Sequence, residues 1–315
     1  MFTPDKIQKN FMEAIITVVG FLGAGKTTLL KHLATRFADQ GWKPYVILND
    51  YENAHLDIQQ FHQLMEPKWI KALNGSCICC SGINELRDFV NGIPERTNGI
   101  TLIEANGTSD AVSLLSFLGV GIHERFLPPI QISVVNAKNW QKRGEHNELE
   151  ANQIQVSSLI VLTHVEHITA ERRDFVEADL QRLNPSAEIL DMARMDVALL
   201  PKLSPSDNKA QTLDHLKAHW SSCSADLPHL PHTDTIYAIC DEIPDSILRV
   251  KGCTQIGNQA GYTYFERTPD GQITIRPFNG EPITGPKLLT IGPGSEPELL
   301  KSAIENGLKA VNLRS

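Results

Sequence analysis

Residues 14–19, Ala-Ile-Ile-Thr-Val-Val, run straight into Gly20-Phe21-Leu22-Gly23-Ala24-Gly25-Lys26-Thr27, and Thr28-Leu29-Leu30 opens an amphipathic stretch directly afterwards. A glycine, four residues, then Gly-Lys-Thr, placed between an apolar strand and a helix, is the pattern of a loop that cradles phosphate. Glycines at 20, 23 and 25 let successive backbone N–H groups point inward, where a side chain would block the approach. A bound anion then meets the positive end of the following helix. Lys26 supplies a point charge for the β and γ phosphates, and the Thr27 hydroxyl is a ligand for Mg²⁺. Ala24 lies within the cradle, and Thr28 holds its α-phosphate end.

Such a loop predicts an α/β chain of the P-loop NTPase kind, with a doubly wound parallel sheet. Strands are expected over 14–19, 45–48, 100–103, 130–135, 158–162 and 187–190, which makes five or six, and helices over 27–40, 83–90, 109–118 and 169–183. The stretch between, through Glu150, reads as a polar loop, and 153–156 as the approach to a strand. With 315 residues there is room for a second, smaller domain. Composition places it after a break: residues 1–203 form the nucleotide-binding domain, 204–231 a linker bounded by prolines, and 232–315 a smaller C-terminal α+β domain. In that last part strands are expected over 236–240, 247–253, 262–266, 273–277 and 288–291, with a helix over 297–308.

The net charge of −8, with Lys and Arg scattered, argues against nucleic acid or an anionic membrane as partner. No apolar run approaches the ~20 residues needed to cross a bilayer, and residues 1–6 lack a signal-peptide layout, so a cytoplasmic protein is expected.

Glu104 ends an apolar strand, where nucleotide hydrolases organise the metal-bound water, and Gly107 is placed to sense the γ-phosphate through its backbone. Residues 49–57, Asn-Asp-Tyr-Glu-Asn-Ala-His-Leu-Asp, follow another such strand and read as a nucleotide-sensing switch, or else as an ordinary exposed connection. Of six cysteines, Cys77, Cys79 and Cys80 are packed into Gly75-Ser76-Cys77-Ile78-Cys79-Cys80-Ser81-Gly82. That density suits Zn²⁺ or Co²⁺, with the sphere completed by His, carboxylate, water or a second chain. Two other readings stay open: small buried side chains, and a thiol redox switch. His215, His219 and Cys223 recur every fourth residue, as on one helix face, with His229 and His232 beyond. They make either a second, labile metal site or a solvated linker helix.

Taken together, Gly20 to Leu30, Cys77-Ile78-Cys79-Cys80, Glu104 with Gly107, Arg249-Val250-Lys251-Gly252 and Leu289-Thr290-Ile291-Gly292 resemble the CobW-like metallochaperone GTPases. The resemblance implies GTP hydrolysis, with Lys26, Thr27 and Glu104 in the catalytic machinery, coupled to delivery of zinc or cobalt. The recipient would be a client metalloprotein or a metal-cofactor pathway enzyme, and a homodimer is compatible with it. Where the family reads guanine with Asn-Lys-x-Asp, this chain has Thr163-His164-Val165-Glu166. Glu166 is one methylene longer than the Asp, and His164 could only stack on the base, so GTP is expected with ATP open. Leu48 replaces a carboxylate of the family's switch, leaving Asp50, His55 or Asp57 to substitute. The six-residue gap between Cys240 and Ile247 leaves no space for the helix usual early in the C-terminal domain. No arginine finger is evident, which predicts slow turnover. The alternative is a non-catalytic module that senses nucleotide and metal.

Overall fold

The computed structural model describes residues 12–50, 58–59, 61–74, 82–107, 111–119, 121–206, 222–268, 270–282, 285–292 and 294–312. The first domain is built on seven parallel strands. In chain order these are β1 (Ala14–Val19), β2 (Lys43–Asp50), β3 (Ile70–Asn74), β4 (Gly99–Glu104), β5 (Ile130–Asn136), β6 (Leu159–Thr163) and β7 (Glu188–Asp191). Across the sheet they run β3-β2-β4-β1-β5-β6-β7, one strand more than the sequence reading allowed because β3 extends the edge beside β2. Successive residues of β1 feed opposite faces, as the pleat demands. Ile16 and Val18 pack with Leu29, Leu33 and Phe37 of α1 (Lys26–Asp39). Ile15 and Val19 pack with Leu86 and Val90 of α2 (Gly82–Gly92) and Leu114 and Leu118 of α3 (Ala111–Leu118). The order reverses at β1, between β4 and β5, so the crevice outside its carboxyl end is where an open α/β sheet takes a ligand.

One helix stands where a polar loop was expected. In α4 (Asn147–Gln155) the buried side includes Glu150, Asn152 and Gln153 beside Leu149 and Ile154, so hydropathy hides the period. The Gln153 backbone carbonyl accepts from Ser133 Oγ at 2.8 Å and from Gln131 Nε2 at 2.9 Å, both on β5, and its side-chain Nε2 donates to the Gly107 carbonyl at 3.3 Å. The domain is completed by α5 (Ala170–Leu183), capped by the Thr169 side chain.

The second sheet has five antiparallel strands in the order β11-β10-β9-β12-β8. They are β8 (Ser222–Asp226), β9 (Arg249–Thr254), β10 (Tyr262–Arg267), β11 (Ile273–Phe278) and β12 (Lys287–Ile291). Two expectations are corrected here. Residues 236–240 belong to a helix, α6 (Asp234–Asp241), whose Ile236, Ile239 and Cys240 are buried at helical spacing against Leu300, Ala303 and Ile304 of α7 (Pro297–Asn312). The β-branched residues looked like a strand, and the helix thought to have no room is present. An ideal Cβ at Gly307 would sit 2.6 Å from Ile239 Cγ1, so that glycine lets α6 and α7 meet. The second correction concerns the linker, since its residues 222–226 form β8, paired with β12. Cys223 is therefore on a strand, buried opposite Thr290, and not on a helix face with histidines. His215 and His219 lie outside the described residues, and His229 and His232 are exposed. Among the described residues no helix is long and apolar enough to cross a membrane.

At the amino ends of the first-domain strands, Glu13 is wholly buried with its charge met by two arginines. Its Oε2 accepts from Arg96 Nη2 at 2.6 Å and Nε at 3.0 Å, and Oε1 from Arg125 Nη1 at 3.1 Å. Arg96 also donates to the Lys43 and Ile100 carbonyls, tying the starts of β1, β2 and β4 together. Removing one partner strands a buried charge, so Glu13→Gln is expected to cost ~3–5 kcal/mol, read as a lower urea midpoint at unchanged slope.

Candidate functional site

The loop after β1 has the backbone its glycines allow: φ is 146° at Gly20, 74° at Gly23 and 100° at Gly25. Lys26 is only 4% exposed, so its ammonium needs acceptors, and Nζ donates to the Gly20 carbonyl at 2.9 Å and the Phe21 carbonyl at 3.3 Å. The Thr27 hydroxyl donates to Glu104 Oε1 at 2.8 Å. A hydroxyl and a carboxylate oxygen brought together here are the hard oxygen donors that Mg²⁺ takes, so the residues present fit that ion.

Thr163 faces the back of the loop. Its hydroxyl donates to the Ala24 carbonyl at 2.8 Å and lies 3.2 Å from that of Val135, so β6 braces the phosphate loop. The segment's other polar side chains, His164 and Glu166, are placed differently from one another. His164 lines the cleft and has φ 57°, whereas Glu166 is exposed and lies 3.2 Å from His167 Nε2. Gly107 stands against Leu22, and its carbonyl accepts from Gln153 Nε2 at 3.3 Å.

The cleft has a volume of about 420 Å³ and two walls. Gly23, Gly25, Lys26, Thr27, Thr28, Lys31, Glu104 and His164 form one; Arg249, Tyr264, Glu266, Thr268, Thr274 and Arg276 form the other. The second wall is the outer face of the small sheet, and sequence reasoning assigned it no part in the site. Alternation along β11, with Ile273 and Ile275 packed on the small core and Thr274 and Arg276 outward, was the available signal. Arg249 pairs with Glu266 at 2.7 Å, and Arg276 lies 4.7 Å over the Tyr264 ring. Burial pulls the Glu266 acid upward, but the charges of Arg249 and Lys251 outweigh it and hold the carboxyl below its ordinary range. The walls are joined at the loop itself, where Phe21 and Leu22 are buried with Leu149, Leu289 and Ile291.

Cys77, Cys79 and Cys80, with residues 51–57 of the expected switch, lie outside the described residues. Their anchors are described. Asp50 ends β2 and Asn74 ends β3, and the two are register partners, so both segments leave the sheet side by side. The other cysteines, 223, 240 and 253, are buried thiols, and burial pushes Cys240 and Cys253 up to about 12, away from the thiolate a metal needs.

Residues 14–191, more than half of the chain, match the family model described as CobW/HypB/UreG, nucleotide-binding domain. The zinc chaperone YjiA of Escherichia coli is 27% identical over 194 residues, 59% of each protein. The zinc-regulated GTPase metalloprotein activator 1 of Saccharomyces cerevisiae is 23% identical over 296 residues, covering 87% of this chain and 61% of the relative. The chain thus spans about three fifths of the length of these two relatives. A solved structure of Zn(II)-bound YjiA GTPase from E. coli aligns over 94% of this chain and 99% of that one, at 20% identity and a TM-score of 0.42.

Behind the loop, the Arg143 guanidinium stands 4.7 Å over the Phe21 ring and 3.7 Å from Glu150. That separation is too long for a hydrogen bond, and burial pushes the Glu150 acid from 4.5 up to about 7. The folded state therefore binds the proton more tightly than the unfolded state does. Its stabilising share is complete below about pH 4.5 and is lost as pH rises to about 7, by about 3 kcal/mol. Urea midpoints should fall through that window in the native chain, and Glu150→Gln should flatten the slope.

Proposed function

The chain belongs to the CobW/HypB/UreG family, and on that premise we propose that it is a GTPase that carries zinc to a client metalloprotein. The observation that carries the reading is the Thr27–Glu104 pair at 2.8 Å on the floor of a cleft whose phosphate loop is already in its cradle conformation. Lys26 exchanges the carbonyls of Gly20 and Phe21 for β and γ phosphate oxygens, and loop N–H groups surround the rest. Thr27 would hold Mg²⁺ through its hydroxyl and Glu104 would order the ion's water; when bound, the ion would supply charge that neutralises the β and γ phosphates. Arg249 and Arg276 bring guanidinium groups to the opposite wall, supplying from the small sheet the positive charge that no arginine finger provides. His164 stacks on the base, and with Thr163 committed to Ala24, discrimination of GTP from ATP is weak.

Cys77, Cys79 and Cys80 hold the ion to be delivered, as thiolates. Coupling to nucleotide follows from where their segment starts. It leaves β3 beside the switch leaving β2, and Gln59, just past the switch, donates to the Glu281 carbonyl of the small domain at 2.7 Å. Ordering of residues 49–57 around the γ-phosphate reshapes the cysteine site, and hydrolysis relaxes it.

Lys26→Ala should lower phosphate release from GTP by about a hundredfold or more. In a Co²⁺ or Zn²⁺ titration with thiolate charge-transfer absorption as readout, Mg²⁺ with a GTP analogue should change metal affinity at least tenfold, about 1.4 kcal/mol. Equal phosphate release by Lys26→Ala would refute the catalytic assignment. A native chain that releases no phosphate yet shows the tenfold shift would be a non-catalytic nucleotide and metal sensor, and identical metal binding in every nucleotide state would refute the coupling.

A further inference from the structure

The turn after β6 does more than replace a base-reading motif. Thr163 ends the strand, His164 takes the left-handed conformation at φ 57°, and one turn of 3₁₀ helix follows over Val165–His167. Val165 and Ile168 pack on the core around Trp140 and Leu162, which leaves His164, Glu166 and His167 on the outer side. Their ligand atoms all lie within 4.8 Å of one another, the one such grouping of three or more His, Cys or carboxylate groups among the described residues. His167 Nε2 is 3.2 Å from Glu166 Oε1, and the two imidazole rings are 6.3 Å apart between centroids at 31°.

We propose that His164, Glu166 and His167 form a binding site for a divalent cation of the zinc class at the mouth of the nucleotide cleft, separate from the cysteine cluster. The donor set decides the ion: two imidazole nitrogens and one carboxylate oxygen suit Zn²⁺ and its borderline neighbours, whereas Mg²⁺ and Ca²⁺ call for oxygens and Cu⁺ for sulfur. Bonds of about 2.0–2.2 Å put tetrahedral ligand atoms about 3.3 Å apart, a spacing the Glu166–His167 pair already has at 3.2 Å, so only the longer separations, within 4.8 Å, must close, by at most about 1.5 Å. Rotamer changes supply that, because the Glu166 and His167 side chains are 63% and 62% exposed. The fourth position stays open to water or to an incoming ligand. Through His164, which also lines the cleft, the ion and the nucleotide base share a residue, so each alters the affinity of the other by the same factor. The site needs neither hydrolysis nor thiolates.

The experiment uses the full chain carrying Cys77→Ser, Cys79→Ser and Cys80→Ser, titrated with Co²⁺ alone. One equivalent should bind with visible d–d absorption and no thiolate charge transfer, and Zn²⁺ should displace it. His167→Ala, a surface change, should abolish that equivalent, and Glu166→Gln should weaken it at least tenfold, with circular dichroism confirming that both variants are folded. Absence of bound Co²⁺ in the serine variant would overturn the proposal, as would an equivalent that survives His167→Ala unchanged. The thiolate band of the native chain reports the cysteine cluster separately, so failure of either site leaves the other measurable.

Discussion

Burial of Phe21 and Leu22 against Leu289 and Ile291 is the contact on which the rest of this architecture turns. These residues occupy variable positions of the phosphate loop, so the chain uses that freedom to fasten the loop to the small sheet. The arrangement gives the cleft a second wall and brings Arg249 and Arg276 opposite Lys26. Two further devices hold the loop from behind: Thr163 braces Ala24 from β6, and Arg143 covers Phe21. A phosphate site needs a rigid cradle, since the backbone N–H groups stabilise charge only if they are already oriented. Here the rigidity comes from three separate elements.

The first domain was legible where burial is apolar. The strands of a doubly covered sheet read as continuous hydrophobic runs, and α1 shows the helical spacing of Leu29, Leu33 and Phe37. The strand, glycine loop and helix, and the approach of Thr27 to Glu104, were legible for another reason: the phosphate-loop pattern calls for those residue types at that spacing. Legibility failed where polar side chains are buried, as in α4, whose Gln153 serves β5, and where β-branched residues occupy a helix, as in α6. It failed again where a residue's partner is remote in sequence. Nothing local announces that Thr163 bonds to Ala24 or that β11 offers Arg276 to the cleft.

Thiol and imidazole side chains are distributed unevenly across the chain. Three of its six cysteines are concentrated between β3 and α2, while Cys223, Cys240 and Cys253 are sealed in the small domain as apolar side chains. The imidazoles follow a different logic: His164 and His167 converge because a left-handed residue and a single 3₁₀ turn reverse the chain at the end of β6. Spacing alone would not bring positions i, i+2 and i+3 together in an extended strand, where i and i+2 share one face and i+3 lies on the other.

The buried charges around Glu13 lie at the opposite edge of the sheet from all of this, where β1, β2 and β4 begin. Stability and chemistry are thereby assigned to different ends of the same strands. A lineage carrying such a scaffold can drift at the carboxyl edge, replacing a base-reading run or a switch carboxylate, while the foundation stays intact. Strand polarity makes this possible: in a parallel sheet every strand begins at one edge and ends at the other, so the charged foundation and the ligand-facing loops are different stretches of chain.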